Sequence, residues 1–186
     1  MSSIRLDKFL KRDDLRGRSR LLEFAWLVTQ ALLVSSFHPF SWLRIKALTL
    51  FGAQIGAGVV IKPGVRVKFP WKLKIGDHTW IGEAVWIDNL ANVAIGSHCC
   101  ISQGTYLCTG SHDWSLPTFD LIVKTIELKD GTWLGAFSKV APGVVAEEDA
   151  VLTMGSVATS NLDAMMVYSG NPAKAIKKRS IDSTEY

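Results

Sequence analysis

The chain has 186 residues, of which 48% are hydrophobic and 20% charged, and a formal net charge of +4. This is the balance of a folded globular protein and not of a disordered one, and the length suits one principal domain with appendages. Its three cysteines, Cys99, Cys100 and Cys108, are too few and too irregularly spaced for a disulfide framework or a metal knuckle, and read as small core side chains in a reducing compartment.

In chain order, residues 1–50 form an N-terminal segment distinct from the rest. The stretch LLEFAWLVTQALLVSS (21–36) is apolar around most of a helix, and Trp42, Leu43, Ile45, Leu48 and Leu50 continue at helical spacing, which predicts two short helices broken near Pro39. The stretch falls short of the ~20 residues that cross a bilayer and carries Glu23 and Gln30, so a spanning helix is not expected. A secretory signal fits poorly, because about twenty polar and charged residues precede the stretch, and the expected location is the cytoplasm. Apolar residues on both faces require burial, against the main domain or a neighbouring subunit. The alternative is weak peripheral contact with the inner face of a membrane, with Arg16, Arg18 and Arg20 attracted to anionic lipid.

From residue 51 to 178 an aliphatic residue recurs every six positions. The ladder runs through Ile55, Ile61, Val67 and Leu73, restarts two residues on at Ile75, Ile81 and Ile87, and slips by two again to Ile95, Ile101 and Leu107. A loop at about 108–126 interrupts it. It then continues without error through Leu128, Leu134, Val140, Ala146, Leu152 and Ala158. Small turn-forming residues follow many ladder positions, as in IGA, IGD and LGA. Three hexads make one triangular coil, and stacking the coils gives an all-β parallel solenoid whose core is a column of ladder side chains. Residues 179–186 are a C-terminal tail.

The stacked I-G-x-x-x-x hexads, the loop string CTGSHDW (108–114) and the GNPAK segment (170–174) resemble the hexapeptide-repeat acyltransferases. The string from Trp86 to Trp114 is most similar to the sugar O-acetyltransferases of colanic-acid-type exopolysaccharide synthesis. More distant are the maltose and galactoside acetyltransferases. The resemblance implies a left-handed β-helix, a homotrimer with each active site between adjacent helices, and direct acetyl transfer from acetyl-CoA to a sugar hydroxyl. No nucleic acid partner and no metal are implied. VVAEED (144–149) and LTMG (152–155) depart from the ideal hexad and put individual CoA contacts in doubt.

An alcohol must lose its proton as it attacks a thioester, and imidazole suits that task. Of four histidines, His112 lies in the ladder-breaking loop and matches the family's catalytic histidine. His78 and His98 read as solvated turn residues, His38 as part of the helical segment, and a zinc site lacks a second histidine in the loop. The second ring nitrogen of His112 has two candidate partners, the adjacent Asp113 and a backbone carbonyl. Asp88 and Asn89 replace the turn glycine on the preceding coil and are candidates for sugar hydroxyls. Trp86 and Trp114 offer either an aromatic face for the sugar ring or packing surface. By resemblance, Gly135 and Ala136 supply the oxyanion donor and room for the pantetheine arm. Met154, Gly155, Ser156 and Thr159 follow that arm, and Lys174 and Lys177 meet the CoA phosphates. Two other readings compete: a non-catalytic β-helix scaffold or binding protein, and an acetyltransferase for a non-sugar acceptor such as serine or an antibiotic.

Overall fold

The computed structural model describes residues 3–182, so the last four residues of the predicted tail lie outside the described residues. From Gln54 the chain winds into stacked coils of short strands, and like strands of successive coils pair in parallel to make three faces. The first face contains Gln54–Ile55, Leu73–Ile75, Val93–Ile95, Ile126–Leu128 and Val145–Ala146. The second contains Val60–Ile61, Trp80–Ile81, Cys100–Ile101, Trp133–Leu134 and Val151–Leu152. The third contains Arg66–Val67, Trp86–Asp88, Tyr106–Cys108, Lys139–Val140 and Val157–Ala158. This is the parallel solenoid that the hexads predict and the left-handed β-helix that the resemblance implies.

The ladder residues point inward, and their register explains the period. Ile81 sits over Ile61 and under Ile101, and Leu134 lies between Ile101 and Leu152. Every ladder residue from Ile61 onward is buried, whereas Ile55, on the first coil, is only half-buried. Burying each Val, Ile or Leu among them stabilises the fold by ~1.5–3 kcal/mol, so the column dominates its stability. Both two-residue slips fall on one edge, the corner between the third and first faces. There Pro70–Lys72 forms a short 3-10 turn in one coil, and Asn89 and Leu90 widen the next. The long loop leaves from the same corner one coil later, so two equally widened corners and then the loop stack on one edge while the faces stay in register.

The N-terminal helices Arg20–Thr29 and Ser41–Leu50, the first prolonged by a π turn over Gln30–Val34, close the first coil. Without them the first strands would present unpaired backbone groups. Trp26 Nε1 donates to the Val67 carbonyl at 2.9 Å, Gln30 Oε1 accepts from the Val67 N–H at 2.6 Å, and Ser41 Oγ accepts from the Ile61 N–H at 2.8 Å. Trp26, Val34, Ala47 and Leu48 are buried in this contact. In the single chain Leu21, Phe24, Leu27, Leu32, Trp42 and Leu50 remain exposed, because only one side of the helices meets the coil. Among the described residues no helix is long and apolar enough to cross a membrane. At the other end, an antiparallel hairpin of Met166–Gly170 and Ala173–Lys178 covers Val151–Leu152.

Candidate active site

The ladder-breaking loop is itself ordered. Gly110–His112 and Leu121–Val123 pair as an antiparallel hairpin, with His112 opposite Leu121 and Gly110 opposite Val123. Alternation places His112 and Leu121 on one face and the exposed Ser111 and Ile122 on the other. A side chain at Gly110 would meet Leu90 Cδ1 at 2.8 Å, so this glycine lets the hairpin lie close against the widened corner.

His112 is held on two sides. Its Nδ1 lies 2.8 Å from the Phe119 carbonyl, and its ring stacks on Phe119 with centroids 4.5 Å apart and 12° between planes. A carbonyl oxygen can only accept, so Nδ1 carries the proton and Nε2 is left with its lone pair. Phe119 occupies the left-handed region at φ 53°, a strained conformation for an aromatic residue that the hairpin end imposes. A further contact comes from the N-terminal arm, where the Phe9 ring tilts against the imidazole at 5.6 Å and the Arg5 N–H donates to the Pro117 carbonyl at 2.8 Å. Neither Phe9 nor Phe119 was identifiable from the sequence: a carbonyl partner carries no residue signal, and the arm lies about a hundred positions away.

Of the two candidates for orienting His112, the carbonyl is the one in contact. Asp113 instead turns the hairpin tip, its Oδ1 accepting from the Ser115 N–H at 3.0 Å and from the Ser115 hydroxyl at 2.5 Å. Those bonds hold its carboxyl below the usual range. Asp88 is partly buried on the third face, with Oδ1 3.0 Å from Lys68 Nζ and Oδ2 accepting from the Tyr106 hydroxyl at 3.1 Å. Burial, with Cys108 and Asp88 adding to it, keeps that phenol protonated well above its ordinary range. Trp86 stacks on Tyr106 at 4.6 Å and carries the Arg66 guanidinium 4.3 Å from its ring centre, a column along the third face. Trp114 stands exposed on the hairpin tip.

Asn89 departs from expectation. It is fully buried; Oδ1 accepts from the Phe69 N–H at 2.9 Å and Nδ2 donates to the Phe69 carbonyl at 2.7 Å. Its amide is a staple between two widened corners, and it cannot reach a sugar.

The residues expected to meet the donor lie elsewhere on the prism. Gly135, Ala136, Met154, Gly155 and Ser156 occupy the corner between the second and third faces, whereas the His112 hairpin leaves at the corner between the third and first. One chain therefore does not bring His112 and this corner together. A side chain at Gly135 would come within 2.6 Å of the Met154 backbone nitrogen, so coil stacking itself demands glycine. The Gly135 N–H donates to the Leu152 carbonyl at 2.7 Å, which removes it as an oxyanion donor and leaves the Ala136 N–H as the candidate of the pair. Ser156 is also corrected: it is buried, its hydroxyl accepting from the Gly170 N–H at 3.0 Å and lying 2.9 Å from the Thr153 hydroxyl. Met154, Thr159, Lys174 and Lys177 are exposed, and nothing lies within 4 Å of where a Gly155 side chain would start. Among the described residues no group of three or more His, Cys, Asp or Glu could hold a metal ion.

No family model matches the chain. It is 39% identical over 166 residues, 88% of this chain and 91% of the relative, to WcaF of Escherichia coli (strain K12), assigned by name to colanic acid biosynthesis as an acetyltransferase. A macrolide acetyltransferase of Lysinibacillus sphaericus, also so assigned by name, is 38% identical over 118 residues, 56% of this chain and 66% of the relative. Among solved structures, the hexapeptide-repeat acetyltransferase VCA0836 of Vibrio cholerae with acetyl coenzyme A superposes with a TM-score of 0.81 at 23% identity, covering 97% of this chain and all of that one. A galactoside acetyltransferase with coenzyme A gives 0.77 at 18% identity, over 90% of this chain and 84% of that one. The fold thus agrees with the solved structures, and with the identity to WcaF along nearly the whole length the chain belongs to the colanic acid biosynthesis acetyltransferases of the hexapeptide-repeat family.

Proposed function

We propose that this protein transfers an acetyl group from acetyl-CoA to a sugar hydroxyl during synthesis of a cell-surface polysaccharide, with His112 as general base. The observation that carries the reading is the Nδ1 contact to the Phe119 carbonyl, which fixes the tautomer so that Nε2 can accept a proton. In the reaction, Nε2 takes the hydroxyl proton as the sugar oxygen bonds to the thioester carbon. The tetrahedral oxyanion then collapses, the C–S bond breaks, and the imidazolium returns its proton to the departing CoA sulfur. The Ala136 N–H is the assigned oxyanion donor. Asp88, Trp86 and Trp114 are the acceptor-side candidates that remain. Met154, Gly155 and Thr159 are assigned to the pantetheine arm and adenine end, and Lys174 and Lys177 to the phosphates.

Because His112 and the Ala136 corner sit on different edges of one chain, the reading includes a homotrimer in which the hairpin of one copy faces the donor corner of its neighbour. The exposed Leu21, Phe24 and Leu27 beside Arg16, Arg18 and Arg20 suit a protein held weakly at the cytoplasmic membrane face. The decisive experiment is His112→Ala, assayed by release of free CoA thiol with a panel of sugars at saturating acetyl-CoA. The variant should fold and bind acetyl-CoA yet lose ~10²-fold or more in rate, the low end of general-base catalysis. A variant that keeps most of its rate on an acceptor used by the wild type would defeat the mechanism.

A further inference from the structure

Between the N-terminal arm and the widened corner lies a cleft of about 200 Å³, lined by Phe9, Lys11, Arg12, Arg16, Lys68 and Leu121, among others. Two of these residues tie it to the base. Phe9 touches the imidazole, and Leu121 is the cross-strand partner of His112, on the same face of the hairpin. His112 therefore adjoins two of the side chains that line this cleft. A third link is Lys68, which joins the cleft to Asp88 through their 3.0 Å ion pair.

The cleft is rich in charge. Its lining holds four cations, Lys11, Arg12, Arg16 and Lys68, and two carboxylates, Asp13 and Glu23. Arg16 is matched by Asp13 and Glu23, Arg12 by Asp14 and Lys68 by Asp88, whereas Lys11 enters no ion pair among the described residues. The wall behind them is fixed. Lys72 Nζ donates to the Leu15 carbonyl and, at 2.6 Å, to that of Leu90, and Trp71 Nε1 donates to the Arg16 carbonyl at 2.7 Å, so the arm is tied down on both sides of the turn. Several cations held on a fixed frame beside apolar side chains suit a multiply charged oxyanion, which takes hydrogen bonds from ammonium and guanidinium groups at once. The cleft, of about 200 Å³, has room for a phosphoryl or pyrophosphoryl group.

We infer that the acceptor is a phosphoryl-linked sugar, whose phosphate or diphosphate seats in this cleft while its hydroxyl reaches His112. The inference rests on the assignment of His112 as base and adds the acceptor's charge to it. Lys11 and Arg12 are specificity residues, and the arm that carries them is a wall of the acceptor site. The carrier beyond the phosphate is a nucleoside or an isoprenyl chain, which share this chemistry.

The test uses the full chain at saturating acetyl-CoA, which keeps the donor site filled. Each hexose of a panel is offered as the neutral sugar, the uronic acid, the 1-phosphate, a nucleoside-diphosphate hexose and a short isoprenyl-diphosphate hexose. Phosphorylated forms should exceed the neutral parent at least ~10-fold in kcat/KM, mainly through KM, and added salt should shrink the difference. Lys11→Gln/Arg12→Gln should abolish that preference, bringing kcat/KM for the phosphorylated forms down to that for the neutral sugar measured with the same variant. The nucleoside and isoprenyl arms identify the carrier, and preference for either supports the inference. Calorimetry with inorganic pyrophosphate in the presence of acetyl-CoA gives a second readout, with at least ~10-fold weaker binding in the double variant. Equal use of neutral and phosphorylated sugars, a preference for the uronic acid, or unchanged preference and pyrophosphate binding in the double variant would overturn the inference. Full retention of rate by His112→Ala on a neutral sugar would instead overturn the assignment of the base.

Discussion

Asn89→Ala tests the reassignment of Asn89 from ligand to staple. In the native protein its amide makes both hydrogen bonds to Phe69, a residue that is itself buried. Truncation leaves the Phe69 N–H without a partner in a dry corner, which costs about 1–3 kcal/mol. The Phe69 carbonyl keeps the Lys72 N–H at 3.0 Å, so its loss is nearer that of one ordinary bond, ~0.5–1.5 kcal/mol. Together these give roughly 1.5–4.5 kcal/mol, which in a chain of this size lowers Tm by roughly 3–18 °C. Asn89→Asp keeps the acceptor but sets a carboxylate oxygen against the Phe69 carbonyl. That variant should be at least as unstable at neutral pH and recover as acid protonates the carboxyl and restores a donor. Thermal melts of the three proteins, run beside CoA-release kinetics at a temperature where all are folded, provide the comparison. A side chain that contacts the sugar would give the opposite pattern. Native Tm with a raised acceptor KM in Asn89→Ala would refute the staple.

Lys174→Ala and Lys177→Ala should each weaken acetyl-CoA binding, and the double variant more so; unchanged calorimetric affinity would remove both lysines from the donor site. Cys99 is buried, and its thiol is pushed up to about 11, chiefly by desolvation. At pH 8 only ~10⁻³ of it is thiolate, so mass spectrometry after iodoacetamide treatment should find Cys99 unmodified until the protein is unfolded. Labelling of Cys99 in the native protein would mean that the corner opens.

The fold was legible because a period of six is a statement about geometry. Each of Ile81, Ile101, Leu134 and Leu152 repeats the same constraint, and an error in one hexad is outvoted by its neighbours. His112 stands out as a candidate for a related reason, as a histidine in the long interruption of such a ladder. The positions that the structure reassigns share another property. Asn89 and Ser156 are polar residues at corners, where one side chain can face solvent or fold back on the backbone, and sequence spacing does not distinguish the two. Gly135 illustrates a second cause for the same residue: glycine is required there by the Met154 backbone of the next coil, a contact 19 residues downstream that exists only after stacking. The exposed faces of the N-terminal helices, and the arm's contact with His112, depend on docking that no periodicity encodes.

The faces of the prism pair straight across the point where the hairpin departs, Val93 with Ile126 and Ile95 with Leu128, as if the fourteen residues from Gly110 to Val123 were not there. A corner of this kind is a socket. What it carries can be lengthened, shortened or exchanged while the aliphatic column beneath keeps its register, since closing a longer loop costs only a fraction of a kcal/mol per few residues. The hairpin is nevertheless not a free module, because the Arg5–Pro117 bond and the Phe9–His112 contact bind it to the first residues of the chain. Transplanting acceptor preference between relatives of this protein should therefore require moving two distant pieces of sequence as one cassette, the arm together with the hairpin. A swap of the hairpin alone should yield a folded β-helix whose base has lost one of the contacts that hold it.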